Sequence, residues 1–197
     1  VLELVDRNTL LTKDTFTVLS CIPMEEKWCC RVELDHPLPA DTKGLMLADI
    51  TRLPRVEISG CRIQSHCARG ILIKSRDVLL EKNYFRHCEG PAIEIAAEAY
   101  WSEGVCPHNV TIRENRIEQC GVLTKVGGIL VISDAPHACC QSMYNIVIED
   151  NFIDAQSNEH AVFVRNVDGL TMQRNQILGG KHPIAVSECQ NVNIVHV

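Results

Sequence analysis

One short pattern recurs along this chain and constrains its fold more than any other feature. Five segments superpose without gaps: VEISGCRI (56–63), VLLEKNYF (78–85), VTIRENRI (110–117), IVIEDNFI (146–153) and LTMQRNQI (170–177). A shorter copy, VNIVHV, closes the sequence. Each begins with alternating apolar residues, as a half-buried strand requires. Two polar residues follow, then Asn in four of the five, then another apolar residue two places later. Equivalent positions Cys61, Asn83, Asn115, Asn151 and Asn175 lie 22, 32, 36 and 24 residues apart. A basic period of 22 to 24 residues is too short for helix-pair repeats or propeller blades. A leucine-rich repeat shares the period, but its Leu-x-x-Leu-x-Leu frame is absent and β-branched residues dominate. A β-sandwich gives no reason for the same register to return in each repeat.

A second alternating strand follows each copy: GILIKS (70–75), AIEIAA (92–97), GILVIS (128–133), AVFVRN (161–166) and PIAVSE (183–188). Ile71, Ile93, Ile129, Val162 and Ile184 form one inward column, and Ile73, Ile95, Val131, Val164 and Val186 the next. Gly70, Ala92, Gly128, Ala161 and Pro183 form a small-residue column at the bend that leads in. The pattern predicts an all-β fold: a right-handed parallel β-helix over residues 51–197, with loop insertions. Its coils of two or three short strands stack about 4.8 Å apart. The four Asn are expected to form a ladder that bonds to itself and to the bend backbone. Residues 1–50 are less regular and read as an irregular β segment or a small inserted β subdomain.

The remaining composition mainly excludes. Hydrophobic residues make up 46% and charged residues 22% of the 197, which suits a folded domain. A formal net charge of -6 with no basic run gives no footprint for nucleic acid. No apolar stretch approaches the ~20 residues of a membrane helix, so no membrane insertion is expected. The opening VLELVDRNTLL reads as a strand met in mid-domain, with a further segment expected N-terminal to Val1, so the missing export signal decides nothing about export. Of the 11 cysteines, none forms a CxxC pair. The cluster Cys106, His108, His137, Cys139 and Cys140 lacks zinc spacing, so neither a metal nor a cofactor is expected. Most thiols are read as small buried apolar residues, with Cys88 and Cys120 stacked in adjacent coils; disulfides are the alternative, although the adjacent pairs Cys29–Cys30 and Cys139–Cys140 suggest no simple framework.

Insertions in a repeat protein map to loops on one face and point to function. Residues 96–109 and 133–145 leave the array at the same place, and 119–128 lengthens the approach to a second strand. Alternation then sets the outward columns: Arg69, Pro91, Gly127, His160, His182; Leu72, Glu94, Leu130, Phe163, Ala185; and Lys74, Ala96, Ile132, Arg165, Ser187. Glu94 therefore faces outward between Leu72 and Leu130, beneath a loop bearing Tyr100 and Trp101. Aromatic faces cover the apolar face of a sugar ring and carboxylates accept its hydroxyls. The candidate binding residues are Glu94, Trp101, Arg69, Glu98, Asp134, His160 and Arg165, with Glu94 the one candidate for catalysis. The competing readings are a surface ion pair of Glu94 with Arg69 or Lys74, a packing role for Trp101, and solvated loop charges at Glu98, Glu103 and Asp134.

RGILIKSRDVLLEKNYFRHCEGPAIEI, the Trp-bearing loop and EGVCPHNVTIRENRI resemble the β-helix of the α-1,3-galactosidases of glycoside hydrolase family 110. VLELVDRNTLL resembles the start of a more irregular section in the middle of those enzymes. The resemblance implies a pectate-lyase-like solenoid, a secreted or periplasmic location, and removal of terminal α-galactose with inversion. Inversion needs an acid and a base ~6.5–9.5 Å apart. In the family a paired-Asp motif supplies such groups, and this sequence holds no Asp-Asp pair. The resemblance thus implies one part of an inverting exo-α-1,3-galactosidase, without its main acid/base pair. The alternatives are a non-catalytic carbohydrate-binding or structural β-helix of the adhesin or tail-spike kind, or a polysaccharide lyase or epimerase.

Overall fold

The computed structural model describes residues 1–102, 105–156 and 158–196. Three parallel sheets carry the repeats, each built from one strand per coil. The first sheet joins Val56–Ser59, Val78–Glu81, His108–Arg113, Met143–Glu149, Val167–Gln173 and Gln190–Val195. The second joins Arg62–Gln64, Tyr84–Arg86, Arg116–Glu118, Phe152–Asp154 and Gln176–Leu178. The third joins Ile71–Ile73, Ile93–Glu98, Val126–Asp134, His160–Arg165 and Ile184–Ser187. Each repeated segment is thus two strands with a bend between them, and a coil has three.

The predicted columns stack in register. Ile71, Ile93, Ile129, Val162 and Ile184 pair in sequence, as do Ile73, Ile95, Val131, Val164 and Val186. Val110, Ile146 and Leu170 line the first sheet, and Phe85, Ile117 and Ile153 the second, all fully buried. Each such side chain contributes about 1.5–3 kcal/mol by leaving water. The small-residue column also has a steric cause. A Cβ on Gly70 would stand 2.5 Å from the Ala92 carbonyl oxygen, and one on Gly128 2.4 Å from that of Ala161.

The Asn ladder forms along the bend between the first and second sheets. Asn83, Asn115, Asn151 and Asn175 are all buried. Each of the first three donates its backbone N–H to the side-chain oxygen of the next Asn, at 3.0 to 3.1 Å. Their side-chain amides donate back to Ile58, Leu80 and Ile112 carbonyls of the preceding coil. The ladder offsets a local cost. The residue before each rung has a left-handed backbone: Lys82, Glu114, Asp150 and Arg174 at φ 52 to 55°. A non-glycine residue there costs roughly 1–2 kcal/mol.

The first 50 residues form two antiparallel units. Leu2–Asp6 lies between Thr12–Phe16 and Leu45–Asp49. Val18–Pro23 and Cys30–Leu34 form a separate hairpin. The three-stranded sheet packs on the coils: Val5 and Leu10 share one core with Ala97 and Ala99. Both oxygens of Glu3 accept from the Arg76 guanidinium, at 2.8 and 2.7 Å. Arg76 therefore holds the Glu3 carboxyl below its usual range.

The thiols depart from expectation. Cys88 and Cys120 are buried and stacked as predicted, with the Cys88 N–H donating to the Cys120 sulfur at 3.5 Å. Cys21, Cys29, Cys30, Cys61 and Cys67 are exposed instead. Burial by stacking needs a coil on both sides. Cys61 and Cys67 belong to the first coil, and the other three sit on the hairpin, where no further layer covers them.

Candidate functional site

The third sheet has two recesses on its outer face, one at each end of the strand Ile93–Glu98. At the leading end, Glu94 stands in register between Leu72 and Leu130. It faces outward but is only 7% exposed, because Arg69 covers it, donating from Nε to Oε2 at 2.8 Å. The pairing raises the Arg69 pKa further. Around this ion pair lies a recess of about 210 Å³ lined by Glu89, Pro91, Leu123 and Thr124. The last two come from the 119–128 insertion, which is fixed by a Leu123 N–H to Glu89 carbonyl bond and by Thr124 Oγ1 donating to the Val126 carbonyl.

At the trailing end, Glu98 is ion-paired with Lys74, with both side chains largely covered. Asp134 is its neighbour in register on the next coil and is exposed. Beside Asp134 runs an open groove of about 590 Å³ lined by Arg7, Asn8, Ala99, Tyr100, Ala135 and Pro136. Three segments converge there. Arg7 donates from Nε to the Ala99 carbonyl and from Nη2 to the Tyr100 carbonyl, both at 3.1 Å. The Asn8 carbonyl accepts from the His137 N–H at 2.8 Å. The two insertions therefore stand side by side, as the sequence predicted, and the turn after Leu2–Asp6 ties them together. Tyr100 and Trp101 are 75% and 63% exposed and meet edge to face, centroids 5.1 Å apart. Trp101 is not a buried plug. Behind the groove, a cavity of about 280 Å³ between the two sheets is lined by Val5, Leu10, Met46, Ala97, Glu98 and Val105.

Glu94 and Glu98 sit four residues apart on one strand, which separates them by ~13 Å. The expectation of a single cleft holding both Glu94 and the Trp101 loop therefore gives way to two recesses. Asp134 lines one, with Glu98 beside it in register and Trp101 against the lining Tyr100, while Arg69 and Glu94 line the other. His160 lies further along the face, its Nδ1 2.7 Å from the His182 carbonyl oxygen and its ring 5.5 Å from Phe163. Arg165 pairs in register with Ile132, two residues short of Asp134, and its Nε is buried with no hydrogen-bond partner among the described residues. Glu103 lies outside the described residues.

The Cys/His cluster has other tasks. Cys106 Sγ is 3.2 Å from the Leu10 carbonyl, and burial pushes its thiol up to about 12. The His108 ring stacks on Tyr144 at 4.3 Å, and burial lowers its pKa. No group of metal-ligating side chains occurs among the described residues, nor any helix long and apolar enough to cross a membrane. Sequence reasoning missed Arg7, Asn8 and the Glu3–Arg76 pair. Their partners are 73 to 129 residues away, and no periodicity marks them.

Comparison with known proteins fits this architecture. The family model for the right-handed beta helix region matches residues 51–197. Alpha-1,3-galactosidase A of Bacteroides thetaiotaomicron is 29% identical over 187 residues, 89% of this chain and 31% of that protein. Alpha-1,3-galactosidase B of the same organism is 33% identical over 75% of this chain and 25% of its own length. Alpha-1,3-galactosidase A of Streptomyces avermitilis is 29% identical over 77% and 25% respectively. The chain spans about a quarter to a third of these relatives. Its stacked parallel sheets, its repeat and the family match agree: the chain belongs to the right-handed parallel β-helix family, in a form that resembles the β-helix of the α-1,3-galactosidases.

Proposed function

We propose that this chain is the sugar-binding β-helix portion of an inverting exo-α-1,3-galactosidase, and that its trailing-end groove takes a terminal α-galactoside. The observation that carries the reading is the convergence of exposed Tyr100, which Trp101 meets edge to face, with the Asp134 carboxylate on one groove, in a chain similar to three α-1,3-galactosidases. Aromatic faces cover the apolar side of the sugar, and Asp134 accepts its hydroxyls. Glu98 backs the groove and Arg7 fixes its wall. The chain supplies binding groups rather than the acid–base pair. Glu94 and Glu98 are each engaged by a cation, and one carboxyl group cannot act as acid and base on opposite ring faces at once. The same two ion pairs favour a second reading, a non-catalytic carbohydrate-binding β-helix.

An α-1,3-galactosyl disaccharide tests both. Titration calorimetry with the 197-residue chain should show saturable binding, weakened about tenfold or more by Trp101→Ala and by Asp134→Asn, with no released galactose. Hydrolysis by the chain would refute the assignment of binding groups alone. Absence of binding would remove the groove from the argument. A longer protein that contains this chain separates the readings: hydrolysis there supports the enzyme, binding without hydrolysis the binding module.

A further inference from the structure

Side chains of two architectures wall the cavity of about 280 Å³ between the three-stranded sheet and the coils. Val5 and Met46, partners across two strands, line it together with Leu10, and Ala97 and Val105 line it from the coil side. Cys106 lines it as well; burial pushes its thiol up to about 12, so it stays protonated and adds apolar surface rather than a nucleophile. An apolar cavity of about 150 Å³ is enough to take benzene, so two fused rings have room here. Apart from the Ser102 hydroxyl, the polar side chains of the lining are carboxylates. Glu98 is paired with Lys74 through Oε2. Asp49 Oδ1 accepts from the Thr51 N–H at 2.9 Å, which holds its carboxyl below the usual range and ionised at neutral pH. A carboxylate has lone pairs for more than one donor, so each can accept another.

We propose that this cavity is a binding site for a small, flat, uncharged molecule of two fused rings with one N–H or O–H donor, of the indole or naphthol class. The apolar walls take the rings and the Glu98 carboxylate takes the donor. Glu98 is chosen over Asp49 because it is the more covered of the two, and a hydrogen bond to a charged acceptor is stronger where water is excluded. Two carboxylates, offset by the one cation Lys74 paired with Glu98, reject an anionic ring compound of the same shape. A ligand of this size should bind with a Kd on the order of 1 mM or below. The site does not depend on what occupies the groove, since neither Trp101 nor Asp134 lines it.

The test titrates the whole chain with indole, read by calorimetry, by thermal unfolding and by the methyl resonances of its four methionines. Binding should saturate at one indole per chain, with Tm raised by about 4 °C at ten times the Kd. The Met46 methyl resonance should move. Those of Met143 and Met172, buried in the coils, and of Met24, in the hairpin turn, should stay. Indole-3-carboxylate should bind about tenfold more weakly or worse, and 1-methylindole, which lacks the donor, should also lose affinity. Ala97→Leu fills the cavity from the coil side and should weaken indole binding at least tenfold. Met46→Trp fills it from the half-buried sheet side and should do the same, which keeps the test open if Ala97→Leu does not fold. No saturation at ten times the expected Kd, a shift at Met24 in place of Met46, equal affinity for indole-3-carboxylate or 1-methylindole, or unchanged binding in the filled variants would each overturn the proposal.

Discussion

Replacing one Asn of the ladder probes the device that holds the coils in register. In Asn115→Ala, the buried Asn83 N–H loses its acceptor, 3.0 Å away, and the Leu80 carbonyl loses the donor 2.9 Å away. The side-chain bonds to Asn83 and Asn151 disappear as well. Each buried group left unpaired costs about 1–3 kcal/mol, so the whole change should cost about 3 kcal/mol. With a urea slope on the order of 2–3 kcal/mol/M, the unfolding midpoint should fall by roughly 1 M. Asn83→Ala should cost less than half of that. Its Oδ1 serves the Cys61 N–H in the outermost coil, where water can substitute, and the Asn115 side chain keeps the backbone N–H of residue 83. The two substitutions should also couple, because the double variant removes a shared bond only once. Equal midpoints for Asn115→Ala and the unchanged chain, or a loss in Asn83→Ala as large as in Asn115→Ala, would refute the ladder as the register device.

Thiol titration of the reduced native chain should label Cys21, Cys29, Cys30, Cys61 and Cys67 quickly, with Cys88 and Cys120 reacting only on unfolding; fast labelling of all eleven would contradict the packing. Arg7→Ala should release the Ala99 and Tyr100 carbonyls, seen as faster amide exchange across residues 99–102 and weaker disaccharide binding at unchanged urea midpoint within ~0.5 M. The Glu3–Arg76 pair sets part of the acid limb: Glu3 is depressed when folded, so its contribution is complete above the unfolded carboxylate pKa and is lost as pH falls through the lower folded value. Arg76→Met should therefore destabilise the chain at neutral pH and show a flatter loss of stability below about pH 4; identical acid limbs would dismiss the pair.

The coils were legible because their physics is local and repeated. A strand that puts Ile93 and Ile95 inward must put Glu94 outward, and stacking then forces Ile129 and Val162 into the same column. Asn115 was legible for the same reason: one rung is ambiguous, four in register are not. The third strand of each coil was harder to separate, since Tyr84–Arg86 continues the repeated segment after a bend at Asn83 that no proline or glycine announces. The turn is made at Lys82, a left-handed lysine stabilised by the ladder beside it. The thiols were misread because composition alone cannot say which cysteines have a coil on both sides.

The site was only half legible because the repeat gives direction along a strand but says nothing about what covers it. Alternation correctly aimed Glu94 outward, and the competing reading of an ion pair with Arg69 is the one that forms, but only the structure shows that Arg69 closes over the carboxylate. The insertions correctly came together, yet they meet beyond Glu98 rather than above Glu94. The segment that joins them comes from the first turn of the chain, through Arg7 and Asn8. That connection has a consequence for recognition. The groove wall is held by hydrogen bonds from one antiparallel sheet to loops of another architecture, so its shape depends on how that sheet docks through Glu3–Arg76, Val5 and Leu10. Sugar binding and docking should then vary together: weakening the Glu3–Arg76 pair should loosen the Tyr100 carbonyl bond and lower affinity, although neither residue touches the groove.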